Sequence, residues 1–155
     1  MSQHSAVIRW VRNEDEIFND DQYSRAHIWE FDGGLSIPAS PSPLVVPLPL
    51  SNEANVDPEE AFVAALSSCH MLTFLSIAAK RKYVIDSYTD EAIGMLGKNS
   101  EGREAITKVV LRPHIVFSGD KTPTNEQLTK MHDISHENCF IANSVNTEVV
   151  TEVAN

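Results

Sequence analysis

Basic side chains and cysteines are both scarce in this 155-residue sequence. Only 12 lysines and arginines accompany 22 aspartates and glutamates, giving a formal net charge of −10. Because phosphate backbones are repelled by such a surface, the sequence predicts no nucleic-acid partner. Cysteine occurs twice, too rarely for a disulfide-rich secreted domain. We therefore expect a reducing, cytoplasmic location, in which the two thiols have a chemical or packing role.

A leader pattern is also missing, since the first residues show no charged segment followed by an apolar run and a cleavage site. One long apolar run, residues 61–79, is nearly free of charge and approaches membrane-spanning length. It contains several polar side chains: Ser67, Ser68, Cys69, His70, Thr73 and Ser76. This is polar for a lone helix in lipid, so we expect a buried helix of a soluble protein and no membrane partner.

The order of elements predicts one α+β domain over residues 1–155, with antiparallel sheets and a long buried helix. Alternating runs at residues 5–11 and 25–31 predict two strands, and Asp32-Gly33-Gly34 predicts a hairpin to a return strand. Residues 38–49 contain five prolines and predict an extended loop. Its apolar side chains must contact this chain's own core or a partner subunit.

Two helices are predicted by their starting signals. Asp57 can cap a helix that begins at Pro58 and runs to about Lys80. Thr124 and Gln127 fit the capping box of a second helix, which runs to about Cys139. Between the helices, residues 83–96 and 105–117 predict a strand pair, and residues 143–153 predict a final strand.

The two cysteines lie within or at the end of these helices and permit two interpretations. A free cysteine is often a small core residue. It becomes a nucleophile when a nearby positive charge stabilises its thiolate. Arg25 begins a strand and could supply that charge, while Glu59 precedes Cys69 by ten residues and therefore shares roughly one helix face with it.

Three segments carry a resemblance to a known family. Residues 56–70, VDPEEAFVAALSSCH, resemble the first cysteine motif of the osmotically inducible protein C (OsmC) and organic hydroperoxide resistance family. Residues 136–144, HENCFIANS, resemble its second cysteine motif, and residues 23–34 resemble its arginine strand and hairpin. The chain lacks the Val-Cys-Pro element of the organic hydroperoxide resistance branch and is closer to the OsmC-like branches.

The resemblance implies a thiol-dependent, peroxiredoxin-like peroxidase with the fold of an intertwined homodimer. It implies that Cys69 is the peroxidatic cysteine, that Cys139 is the resolving one, and that Arg25 and Glu59 assist. Organic hydroperoxides are the implied substrates, with hydrogen peroxide as a further candidate, in an antioxidant response to oxidative stress. An external dithiol, a lipoyl protein or a small thiol, would reduce the disulfide. No metal, flavin or haem is required by this chemistry.

Two alternatives remain open from the sequence. The chain could be a non-catalytic member of the same fold that binds an apolar ligand in the dimer cleft. It could also bind zinc, since His132, His136 and Cys139 recur along one helix and Cys69 or His70 could add a fourth ligand. Otherwise we expect His132 and His136 to lie on a solvated helix face.

Overall fold

The computed structural model describes residues 1–153, and the chain divides into two compact units, Met1–Ala61 and one that begins at Phe62. Within residues 1–153 there are eight strands and two α-helices, with antiparallel sheets and one long helix. This confirms the predicted α+β class. The prediction of a single domain over residues 1–155 stays a prediction.

The first unit contains a three-stranded antiparallel sheet. Its strands are β1, Ala6–Arg9, β2, His27–Phe31, and β3, Ser36–Ala39, in the order β1-β2-β3. The predicted hairpin connects β2 to β3. Gly34 has a φ of 85°, which glycine adopts without a steric penalty, and its N–H donates to the Phe31 carbonyl over 2.9 Å. The acidic loop between β1 and β2 contains a short 3-10 helix, Phe18–Asp20.

The helix α1 spans Pro58–Lys80, as predicted. Its start is capped reciprocally. The Glu60 N–H donates to Asp57 Oδ1 over 2.7 Å, and the Asp57 N–H donates to Glu60 Oε2 over 3.3 Å. Four residues at helical spacing form its buried stripe: Leu66, His70, Phe74 and Ala78. The rest of α1 is partly or fully exposed in a single chain.

After α1, the two predicted segments pair with each other, but each is broken into two strands, so the prediction of two continuous strands was wrong. The four strands are β4, Val84–Asp90, β5, Ile93–Lys98, β6, Glu104–Leu111, and β7, Pro113–Ser118. Strand β4 pairs with β7, and β5 pairs with β6, so one long hairpin bends and enters two sheets.

Asp90 holds the corner of this hairpin. Its Oδ1 accepts a hydrogen bond from the Arg112 N–H over 2.6 Å, and its Oδ2 accepts one from the Ser67 hydroxyl. These bonds occupy the carboxylate at the point where both predicted strands break. Pro113, which lacks an N–H, begins β7 directly after the break.

The second helix, α2, spans Asn125–Asn138 and has the predicted capping box between Thr124 and Gln127. A short 3-10 helix, Ala142–Ser144, follows it. The final strand, β8, covers only Glu148–Thr151 and pairs in parallel with β6. The predicted strand over residues 143–153 was therefore too long.

Two apolar clusters form the core of the second unit. In the first, Phe74 and Ala78 of α1 pack with Tyr83 and Met131. In the second, Leu66 packs with Val109 and Leu111 of β6. The buried stripe of α1 therefore contributes to both clusters, which fixes the rotation of the helix about its axis.

Within residues 1–153, one helix, α1, is long and apolar enough to cross a membrane by length and composition. Its most apolar window has a mean hydropathy of 1.7, and 22% of that window is buried within the chain. A core helix of a soluble protein passes the same test. The small buried share means that much of α1 would need a covering surface.

Candidate active site

The two cysteines come from the two helices of the second unit. Cys69 lies in the middle of α1 and is half-buried, and its carbonyl accepts a hydrogen bond from the Thr73 hydroxyl over 3.0 Å. Cys139 is the residue that ends α2, and 1% of it is exposed. Both are free thiols.

The two thiols are neighbours, since Cys69 is among the groups that shift the pKa of Cys139. Burial first, and the neighbouring Cys69 thiol second, raise the pKa of Cys139 to about 11. The N–H groups of Ala142 and Ile141 lower the pKa of Cys139, and the Ala142 N–H donates to Cys139 Sγ over 3.4 Å. The raised pKa makes Cys139 a poor first nucleophile, because the thiolate is the reactive form.

Arg25 lies in the first unit, directly before β2, and its side chain is 18% exposed. Its Nη2 forms an ion pair with Asp21 Oδ1 at 2.7 Å. Its Nη1 donates to the Tyr23 carbonyl over 2.7 Å, and its guanidinium carbon lies 4.0 Å from the centre of the Tyr23 ring. The guanidinium is thus bound on several sides by its own loop.

The backbone of Arg25 is fixed as well. Its N–H donates to the Leu50 carbonyl over 2.9 Å, and its carbonyl is bonded by His27 Nδ1 over 2.8 Å. Trp29 Nε1 in turn donates to His27 Nε2 over 2.9 Å. Because Nε2 accepts, His27 carries its proton on Nδ1 and donates to Arg25. The sequence alone assigned His27 no role.

Glu59, the second residue of α1, does not contact Arg25 in a single chain. Its Oε2 is buried and has no hydrogen-bond partner among residues 1–153. The carboxylate that pairs with Arg25 is that of Asp21. The assignment of Arg25 and Glu59 to the site stays a prediction.

A pair of buried histidines lies in the same unit as the two thiols. His70 Nε2 and His132 Nδ1 are 3.0 Å apart, and the two side chains are 1% and 3% exposed. The expectation that His132 lies on a solvated helix face was wrong, whereas His136 is exposed as expected. His132 belongs to the buried face of α2 together with Met131 and Ser135.

The zinc alternative required several ligands to meet. Among residues 1–153, no group of three or more His, Cys, Asp or Glu side chains is arranged to hold a metal ion. His132 forms a hydrogen bond with His70 instead, and Cys139 lies near Cys69. A cleft of about 340 Å³ between α2 and β8 includes His132 and His136 in its lining, but neither cysteine.

Comparison with known proteins decides the family. The model of the OsmC-like protein family matches residues 51–154, about two thirds of the chain, including both cysteines. The chain belongs to the OsmC-like protein family. No curated protein matches the sequence.

Solved structures share the fold of this OsmC-like chain. An OsmC-like protein of unknown function from Vibrio cholerae O1 biovar eltor is 69% identical, with a TM-score of 0.98 over 99% of this chain and 100% of that chain. An organic hydroperoxide resistance protein OsmC from Legionella pneumophila is 15% identical, with a TM-score of 0.71 and full coverage of both chains. An organic hydroperoxide resistance protein from Elizabethkingia anophelis is 19% identical, with a TM-score of 0.71 over 100% of this chain and 97% of that chain.

The OsmC-like chain also contains a feature that the sequence predictions missed, the His70–His132 pair. A signal for it was present. His70 lies four residues after Leu66 and four before Phe74, the spacing of a buried helix stripe. His132 similarly lies four residues after Leu128, which packs on the core. Apolar periodicity alone would have placed both histidines on buried faces.

Proposed function

We propose that this chain is a thiol-dependent peroxidase that reduces organic hydroperoxides through Cys69 and Cys139. The observation that carries the proposal is the proximity of two free thiols supplied by two different helices. Two cysteines with only a packing role have no need to be neighbours. Membership of the OsmC-like family supports a hydroperoxide substrate, since relatives of the same fold are named organic hydroperoxide resistance proteins.

The first step would be attack of the Cys69 thiolate on the peroxide. A sulfur–oxygen bond forms and the oxygen–oxygen bond breaks. The Cys69 sulfur loses two electrons and becomes a sulfenic acid, and the leaving alkoxide takes a proton and departs as an alcohol. Arg25 would stabilise the thiolate and the charge on the departing oxygen, and Glu59 would orient Arg25. In one chain the guanidinium is engaged by Asp21, so this role requires Arg25 to change partners.

The second step would be attack of Cys139 on the sulfenic acid. A sulfur–sulfur bond forms, the sulfur–oxygen bond breaks, and the hydroxide leaves with the Cys139 proton as water. The proximity of the thiols supports rapid closure, because little movement is needed. An external dithiol, on a lipoyl protein or a small molecule, would then restore both thiols by exchange and be oxidised itself.

The apolar surface near Cys139 supports an organic substrate over hydrogen peroxide. Phe140 follows Cys139 directly and is 82% exposed in a single chain. An apolar side chain beside a thiol attracts the hydrocarbon part of a hydroperoxide. We propose that this part of the chain contributes to substrate preference.

A homodimer forms part of the proposal. The exposed side of α1 carries no charge between residues 61 and 79, and Leu72 on it is 61% exposed. In the proline-rich loop, Leu44 is 97% exposed, and Val45 and Leu48 are also exposed. Apolar surface of this extent is typical of an interface. A second copy of the chain would cover α1 in a cytoplasmic protein, in which the thiols remain reduced.

The test is the mass and the free-thiol count of the intact protein, before and after one equivalent of cumene hydroperoxide. We expect the loss of two hydrogens and of both thiols, with Cys69 linked to Cys139 within one chain. The matched control is Cys139→Ser, which should gain one oxygen on Cys69. Two unreacted thiols in the wild type would contradict the proposal and favour a member that binds an apolar ligand without catalysis.

A further inference from the structure

Burying the His70–His132 pair in the core costs more free energy than burying apolar side chains there. Each ring is buried, and each has a second nitrogen, His70 Nδ1 or His132 Nε2, with no hydrogen-bond partner among residues 1–153. Two apolar side chains of similar volume would fill the same space without these buried polar atoms. A hydrogen bond between two buried polar side chains fixes their relative orientation, which apolar contacts do not.

The bond between the rings is well defined. The rings are nearly parallel, at 11°, and the His132 ring also stacks on Phe74 with 4.4 Å between ring centres. Burial lowers the pKa of His70 and of His132 to about 4. Both rings are therefore neutral near pH 7, so one donates to the other in a single hydrogen bond.

The location of the pair connects it to the thiols. His70 follows Cys69 on α1, and His132 precedes Cys139 by seven residues, or about two helical turns. The imidazole bond thus joins the same two helices that bring the two thiols near each other. Since a hydrogen bond is sensitive to changes of a few tenths of an ångström, it restricts sliding of α1 along α2.

We propose that the His70–His132 hydrogen bond positions Cys139 against Cys69 and thereby sets the rate of disulfide closure, without acting on the attack on peroxide. The inference rests on the proposed function. It makes the His70–His132 hydrogen bond the feature that controls the second step, disulfide closure. The two histidines are positioning residues, because neither needs to contact the reacting oxygen.

The variants His132→Asn and His132→Leu test this inference as a matched pair. The asparagine amide reproduces the polar position of Nδ1 and can bond His70, whereas leucine has the same branched shape without a polar atom. The two side chains have the same number of heavy atoms in the same branched arrangement, so the comparison between them tests the hydrogen bond.

We expect closure in His132→Leu to be about tenfold slower than in His132→Asn, as for the loss of one buried hydrogen bond. Attack on cumene hydroperoxide should agree within about twofold in both variants. A slower closure leaves the sulfenic acid exposed to a second peroxide. The Cys69 sulfinic acid, read by intact mass, should therefore accumulate in the leucine variant only.

Two results of the closure and attack measurements would overturn the inference. One is equal closure rates in both variants. The other is a parallel loss of attack and closure that follows the urea midpoint, which indicates a stability effect. If His132→Leu does not fold, His70→Gln and His70→Met make the same comparison from the other ring, because glutamine reproduces the position of Nε2.

A second readout separates this inference from the proposed function. In dithiothreitol redox buffers, the Cys69–Cys139 disulfide of His132→Leu should form with an equilibrium constant about tenfold lower than that of His132→Asn. This equilibrium requires no peroxidase activity. If the wild type does not react with peroxide but the two variants differ in this equilibrium constant, the proposed function is wrong and the positioning role stands. Equal equilibrium constants would defeat the positioning role.

Discussion

The two parts of the candidate active site differ in how complete they are within one chain. The thiol part, Cys69 and Cys139, is assembled, because the two thiols are neighbours within the second unit. The charged part, Arg25 and Glu59, is not assembled. Arg25 is paired with Asp21, and a buried oxygen of Glu59 has no partner among residues 1–153.

This difference separates two requirements of the proposed chemistry. Disulfide closure needs two sulfurs to meet, and contacts within one unit of one chain are sufficient for that. Stabilising charge on a leaving oxygen needs a guanidinium that is free to bind it, and Arg25 is not free in this arrangement. A second copy of the chain or the substrate would have to compete with Asp21. Four predictions test the comparison, in order of decreasing effect.

The largest effect should come from the thiol part. Cys69→Ser should abolish peroxide reduction, because serine at neutral pH supplies no comparable nucleophile. Cys139→Ser should keep the first attack and lose turnover, since no disulfide can form. Stopped-flow peroxide consumption, with single-turnover mass spectra, measures both. Full turnover by Cys69→Ser would remove Cys69 from the mechanism.

The charged part should have a smaller effect. Arg25→Ala should lower the rate of attack by about 10²-fold, the typical loss for one group that stabilises developing charge. The matched control is Arg9→Ala, which removes an exposed arginine paired with Glu30 at 2.9 Å. Its attack rate should equal that of the wild type. Equal rates in both variants would place Arg25 outside the site.

Glu59 should have a smaller effect still, because it acts through Arg25. Glu59→Gln should slow attack by about tenfold, while the free energy of unfolding stays equal or rises, because a neutral amide costs less to bury. Glu60→Gln is the control, since glutamine can keep the capping bond to Asp57. A urea series with steady-state kinetics measures both quantities. An unchanged rate in Glu59→Gln would show that Glu59 does not orient Arg25.

The last prediction concerns the free energy of unfolding. The loss of stability caused by the two histidines is absent near neutral pH and appears only in acid. Burial lowers the pKa of His70 and His132 to about 4, below the value of about 6.5 in the unfolded chain. Their contribution to stability is therefore fully present above about pH 6.5 and is lost as the pH falls toward 4. His136 lowers the pKa of His70 further, and Asp90 opposes this.

Urea unfolding from pH 7 to pH 4.5 tests this dependence. The double variant His70→Gln/His132→Asn removes both titrating rings and should lose less stability over this range than the wild type. Parallel curves for the two proteins would show that other groups control the acid sensitivity.

The features that the sequence predicted correctly depend on short-range rules. Asp57 and Pro58 start α1, Thr124 and Gln127 cap α2, and Gly34 allows the hairpin, because each interaction lies within a few residues of the chain. The roles of the two cysteines and of Arg25 were taken instead from the resemblance to family motifs.

The features that were missed depend on distant partners. Asp90 lies at the corner that interrupts the predicted strand over residues 83–96. Its carboxylate accepts a hydrogen bond there from the N–H of Arg112, 22 residues away. Strand β8 pairs in parallel with β6, and no periodicity specifies that direction. His132 is buried where its ring forms a hydrogen bond with His70, 62 residues earlier. Helix propensities and apolar spacing carry no information about such pairs.

The distance between the cysteines along the chain has a consequence for synthesis. Cys139 follows Cys69 by 70 residues, and β8, which pairs with β6, comes later still. At about 5–20 residues per second, the ribosome would take roughly 4–14 s to add Cys139 after Cys69. A nascent chain therefore presents Cys69 without its partner thiol for several seconds. Each new molecule passes through an interval in which Cys69 can be oxidised but cannot yet form a disulfide with Cys139.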